Sequence, residues 1–159
     1  MTVTHSIRGG MRMEVRDGQG LVTVREARNI VVQAGAELVA RRFAGLDCPP
    51  IDRVRVGFGR AVADVAATAL QGPATGQFDA AALQSAVAPA DFTLATDRPA
   101  VVIVSLSSVF HPTVDLPDVS EAGLFGGDHL YNQVAFEPVT LRVGHDVTFF
   151  WEIQFPYGH

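Results

Sequence analysis

Residues 146–155, Asp-Val-Thr-Phe-Phe-Trp-Glu-Ile-Gln-Phe, alternate in a way that only an extended strand makes useful. Val147, Phe149, Trp151, Ile153 and Phe155 project to one side, and Thr148, Glu152 and Gln154 to the other, because strand side chains change face at every residue. Burying five such side chains contributes roughly 1.5–3 kcal/mol each, so this stretch belongs to a core, and the rest of the chain must supply a surface to pack on it. Phe150 is the one large apolar residue on the opposite face. A neighbouring subunit is its expected cover.

The same period recurs along the chain. Residues 11–16 alternate apolar and charged, Asp17-Gly18-Gln19-Gly20 supplies residues tolerant of positive φ, and residues 21–25 resume the pattern, which together read as a β-hairpin. Residues 51–58 place Val54, Val56 and Phe58 on one face and Arg53 and Arg55 on the other. Residues 101–110 form a β-branched strand whose apolar face is diluted by Ser105, Ser107 and Ser108. A loop is expected at 111–118, then strands at 121–125 and 129–136 around the turn Gly126-Gly127-Asp128. Glu137-Pro138 is expected to end the second of these, before a new strand at 139–143 and a turn at Gly144-His145-Asp146.

One segment changes period. Val32, Ala36, Val39 and Phe43 are spaced for a helix face, with Asn29 as the expected cap, Arg41 and Arg42 near the negative end of the dipole, and Gly45 suited to the left-handed position after the last turn. Gly35 within that helix is explained if the helix lies close against a sheet. Residues 64–89 are rich in Ala, Gly and Thr. They are expected to form a long inserted loop with one or two helical turns which, with 111–118, carries contacts to neighbouring subunits while the β scaffold carries stability. The expected architecture is mainly β: a single domain over 1–159, an antiparallel β-sandwich with one α-helix packed on a sheet.

Composition excludes several function classes. The chain has 159 residues, 48% hydrophobic content, 18% charged residues and a net charge of -5 without a basic cluster. Nucleic-acid binding needs a concentrated Lys/Arg footprint, so no nucleic-acid partner is expected. No apolar run approaches the roughly 18 residues of a membrane helix, residues 1–10 lack the apolar stretch of a leader, and a lone Cys48 makes no intrachain disulfide. The expectation is folding in a cytoplasm with no membrane partner.

Candidate chemistry is sparse. Gly57-Phe58-Gly59 follows a strand but lacks the third glycine of a dinucleotide fingerprint. Asp115, Asp118 and Glu121 have a spacing that could surround a calcium ion, yet loop acids beside Pro112 and Pro117 are ordinarily solvated. His5, His111, His129, His145 and His159 form no metal-binding motif, and Cys48 precedes two prolines with no base in sequence reach. No catalytic, cofactor-binding or metal residues and no cofactor are therefore expected, and the chain reads as a non-enzyme.

Several stretches together are similar to one family. Asn29-Ile30-Val31-Val32 leads into the helix, a strand ends at Val56-Gly57-Phe58-Gly59, a loop carries Asp64 and Thr68-Ala69-Leu70, and Glu121-Ala122-Gly123-Leu124-Phe125 precedes a turn. Phe136-Glu137-Pro138-Val139-Thr140, Gly144-His145-Asp146 and the aromatic final strand complete the series. The chain resembles small tail-associated virion proteins of double-stranded DNA bacteriophages over nearly its whole length, apart from 72–89. It departs from their pattern at His145, which intervenes before the acid, and at Gly57-Phe58-Gly59, which replaces a smaller, Thr-containing stretch. The resemblance implies a structural subunit of a tail, in the baseplate, fibre-attachment or collar region, assembled in the host bacterial cytoplasm into the virion. Its implied partners are itself, as a homo-oligomer, and other virion tail proteins. The alternative is a carbohydrate- or ligand-binding β module in which Trp151, Tyr131 or Tyr157 stacks on a sugar. Trp151 lies in phase with the apolar face, which favours a place in the core.

Overall fold

The computed structural model describes residues 8–59 and 63–158. They form two five-stranded antiparallel sheets with one helix, the β-sandwich expected. The first sheet has the order β2-β1-β10-β7-β6 and comprises β1 (Arg8–Asp17), β2 (Gly20–Arg28), β6 (Phe92–Ala95), β7 (Val101–Phe110) and β10 (Asp146–Pro156). The second has the order β3-β9-β8-β4-β5 and comprises β3 (Ile30–Val31), β4 (Arg53–Gly57), β5 (Gln84–Ala86), β8 (Leu116–Gly126) and β9 (His129–Leu141).

The alternating stretch 146–155 becomes β10, the middle strand of the first sheet, flanked by β1 and β7. Val147, Phe149, Trp151 and Ile153 are buried with Met11, Met13 and Val15 of β1 and Leu106 and Phe110 of β7, against Val54, Val56, Ala122, Leu124 and Val134 of the second sheet. Trp151 keeps 2% of its surface exposed, so the indole is core.

The helix α1 spans Gln33–Phe43 and packs on β9. Its phase differs from the expected one: Gly35 and Leu38 are buried while Ala36 is exposed and Phe43 is 95% exposed. The reason is Gly35, where a Cβ would lie 1.9 Å from the Tyr131 carbonyl oxygen. The missing side chain lets the helix sit directly on the β9 backbone, and the contact is made by absence of bulk. Asn29 is not the cap. Val32 occupies that position without a side-chain hydrogen bond, and Asn29 is buried between β2 and β3, its backbone N–H donating to the Gly9 carbonyl at 3.2 Å. Gly45 does adopt the left-handed conformation, with φ of 70°.

Two boundaries also move. The loop expected at 111–118 is shorter, because β8 begins at Leu116 and buries Leu116 and Val119. Glu137-Pro138 does not end a strand. β9 runs through it, since pairing passes from Glu121↔Ala135 to Val119↔Val139 and the extra residues form a bulge that needs no N–H from Pro138. Two short edge strands, β5 and β6, were not foreseen.

Residues 64–89 contain β5 and a 3₁₀ turn at Ala80–Leu83. They are also tied to the sandwich, contrary to the expected separation of scaffold and contact loop. Phe78 stacks on Phe58 with ring centroids 5.8 Å apart, and Leu83 packs on the main core. Leu70 and Ala67 cover Val32, Phe125 and Leu130 in a second small apolar cluster on the outer side of the second sheet. Among the described residues, no helix is long and apolar enough to cross a membrane.

Candidate functional site

The outer faces of the two sheets differ. That of the second sheet carries α1 and the 64–71 stretch. That of the first sheet carries neither, and holds a groove of about 800 Å³. Strand register builds it from two cross-strand rows. The first row is Glu26, Arg12, Phe150 and Ser107, on β2, β1, β10 and β7. The next is Arg28, Gly10, Glu152, Ser105 and Thr93, reaching β6. Gly10, Ser105 and Thr93 are small, so the second row is a trough, and Phe150, 40% exposed, stands beside it. Met11, Trp151 and Leu106 turn inward and give the floor its backbone.

The rim is held by ion pairs. Arg12 donates from Nη1 to Glu26 Oε1 at 2.5 Å and from Nε to Glu14 Oε1 at 3.0 Å, and Gln154 Nε2 donates to Glu152 Oε1 at 2.9 Å. The Glu26 hydrogen bond, followed by that of Glu14, raises the Arg12 guanidinium above its ordinary value, and the bond from Arg12 holds Glu14 below the usual carboxylate range. These bonds tie Arg12 to Glu14 and Glu26 at the solvent-exposed rim.

A second constellation is buried. Glu121, 2% exposed, accepts from Gln133 Nε2 at 2.6 Å and from the Gln71 backbone N–H, and Gln133 Oε1 accepts from the Asp64 N–H at 3.1 Å. Gly57 and Gly59 close around this carboxylate: a Cβ would stand 2.5 Å from Glu121 Oε1 at the first and 2.8 Å from Oε2 at the second. The Ser120 hydroxyl donates to the Gly59 carbonyl. Gly57-Phe58-Gly59 is therefore a seat for a side chain of its own fold. A Cβ at Gly123 would meet the Asn132 carbonyl oxygen at 2.6 Å and Leu70 at 3.5 Å in the same region. The Gly-x-Gly strand end, the loop with Asp64 and Leu70, and Glu121-Ala122-Gly123 thus converge on one hub that fastens the excursion to β8.

The other candidates lie apart. Asp115 Oδ1 accepts from the Val143 N–H at 2.9 Å, Asp118 is exposed with φ of 59°, and Glu121 is in the hub, so the three acids share no site. His111 pairs with Asp146 at 2.9 Å, His145 Nδ1 accepts from the Arg142 N–H at 3.0 Å, and His129 lies with Cys48 beside a cleft of about 220 Å³. His5 and His159 lie outside the described residues. Cys48 is buried against the Leu38 carbonyl. Among the described residues no three His, Cys, Asp or Glu side chains come together as a metal site.

Of the aromatics considered for stacking, Trp151 and Tyr131 are in the core and Tyr157 is 51% exposed at the end of β10. Burial pushes the Tyr131 phenol up to about 12. The aromatic that faces the groove is Phe150. Its outward phase was legible in the sequence, whereas its neighbours Arg12 and Ser107 come from distant strands. No protein-family model, curated protein or solved structure matches this chain.

Proposed function

We propose that the chain is a non-enzymatic structural subunit of a phage or phage-like particle, assembling in the tail with itself and with other virion tail proteins. The observation that carries this reading is the start of β2. Nine residues long, β2 has a ladder partner on one side only, β1, among the described residues. Its middle is covered by β9, where Arg25 donates to the Glu137 and Pro138 carbonyls, but Leu21 and Val22 at its start are half exposed. The edge strands of the second sheet are cut to two and three residues, one of the ways proteins blunt such edges. An uncovered stretch of edge with apolar side chains is a template for a strand or surface of another subunit. The resemblance gives that partner its class, and its motif residues are engaged in fastening the excursion, which is a structural use. Phe43 and Leu46, exposed together at the end of α1, add a second contact point.

Light scattering over a concentration series tests the reading. The unaltered protein should associate, and the Leu21→Lys, Val22→Lys double variant should be monomeric with its unfolding midpoint nearly unchanged. A protein that stays monomeric at high concentration and also fails to bind any tail component would refute the assignment.

A further inference from the structure

We propose that the groove on the open face of the first sheet binds a neutral oligosaccharide. A second copy set across a two-fold axis is the competing occupant, since its Phe150 can enter this trough; dimerisation of the Leu21→Lys, Val22→Lys variant that Phe150→Ala abolishes would overturn the sugar reading in its favour.

The backbone then separates peptide from sugar. The floor strands β1, β10 and β7 are interior strands, each paired on both sides, so their N–H and C=O groups are committed to the ladder. A peptide recognised through its main chain needs a free sheet edge. Laid across this floor, it would leave its own amides short of partners. A sugar needs only side chains, and the groove supplies the required kinds. Ser105, Ser107 and Thr93 carry hydroxyls that both donate and accept. Arg12, half exposed, offers the guanidinium hydrogens that Glu14 and Glu26 leave unused, Glu152 offers the carboxylate oxygen not bound by Gln154, and the exposed ring of Phe150 offers an apolar surface for the C–H face of a pyranose.

Charge narrows the class. The groove's two arginines stand among three carboxylates, Glu26, Asp91 and Glu152, so no cationic field favours a sulfated, phosphorylated or uronic sugar. The volume of about 800 Å³ lies within the range of roughly 300–1,000 Å³ typical of small-ligand clefts. The inference uses the face of the sheet and not the edge of β2, and so stands apart from the assembly reading.

Gly10 provides the sharpest test. A Cβ there would meet only the Ala27 carbonyl oxygen, at 3.6 Å, so a side chain can be added at Gly10 without striking backbone, and the methyls of Gly10→Val project into the trough. The full chain is titrated, with detection by amide chemical shift, against neutral oligosaccharides of glucose, mannose and N-acetylglucosamine. An oligogalacturonate and an extended decapeptide serve as controls. At least one neutral probe should saturate at millimolar concentration or below, with shifts centred on Ser105, Ser107, Phe150 and Glu152. Gly10→Val and Phe150→Ala should each weaken it by roughly tenfold or more while the protein stays folded. Should Gly10→Val not fold, Ser105→Leu obstructs the same trough from β7. The Leu21→Lys, Val22→Lys variant should bind the sugar normally, so assembly and sugar binding fail separately. Absence of binding by every neutral probe, binding undiminished by groove-filling and Phe150→Ala, or preference for the peptide or the acidic sugar would overturn the proposal.

Discussion

The outer faces of this sandwich start from the same antiparallel ladders and end differently. On the second sheet, Gly35 lets α1 rest on the Tyr131 backbone, and Leu70 closes over Phe125 and Leu130. On the first sheet, Gly10 also lacks a side chain, yet nothing from the described chain moves in to use the space. One glycine is a contact and the other is a vacancy. The difference shows that a small residue on a sheet has no fixed meaning until the element above it is known.

The largest expected effect contrasts two neighbours on β10. Trp151→Ala should lower stability by roughly 3–5 kcal/mol, as truncation of a buried large aromatic does, whereas Phe150→Ala should lower it by only about 1–2 kcal/mol because part of the ring already meets water. Urea unfolding of both decides it. An unchanged midpoint for Trp151→Ala would reverse the assignment of inner and outer faces.

The second prediction tests how dry the covered side is. The Tyr131 phenol has a folded value of about 12, above the roughly 10 of an exposed tyrosine. A raised folded value means stability that is intact below about pH 10 and lost as pH rises toward 12, because the unfolded chain ionises first. On the order of 2–3 kcal/mol should disappear across that window. Tyr131→Phe should remove this alkaline loss. It should leave neutral-pH stability unaltered or raised, since the buried hydroxyl has no hydrogen-bond partner among the described residues. Equal alkaline sensitivity in both proteins would mean that water reaches the phenol.

The third sets the two glycines against each other. Gly35→Ala should lower stability by about 1–3 kcal/mol, because its methyl meets backbone, which cannot rotate aside. Gly10→Ala should be neutral or slightly stabilising in a strand. Thermal unfolding of the pair is sufficient, and similar midpoints would mean that α1 is not seated on β9.

Much of the scaffold was legible because alternation reports burial directly. Residues 11–16, 53–57, 101–110 and 146–155 each carry enough large side chains to reveal a face. What escaped had a physical reason in each case. The helix phase was misjudged because its closest contact is made by Gly35, which contributes no hydropathy. Pro138 suggested an end because a proline removes a ladder donor, and only the register with β8 shows that a bulge leaves that donor unneeded. β5 and β6, three and four residues long, are too short to display a period. The groove escaped because Gly10, Ser105 and Thr93 become neighbours only through pairing. Ser105 and Ser107, which in the sequence only dilute an apolar face, line it from β7. The seat for Glu121 escaped for the same reason, its glycines and its acid lying on different strands.

The pairing of β1 with β10 also has a consequence for how the molecule comes into being. Arg8 stands opposite Gln154 and Arg16 opposite Asp146, so the centre of the first sheet joins the first and the last strand of the described residues. During synthesis β1 and β2 can close as a hairpin at once, but their apolar side must wait until β10 has left the ribosome. Folding should accordingly be slow for a chain of this size, as for other folds dominated by distant contacts, and cannot finish before β10 is made. Until then Met11, Met13 and Val15 remain a sticky surface, a reason for such a chain to depend on chaperones or to be made close to the partners that receive it.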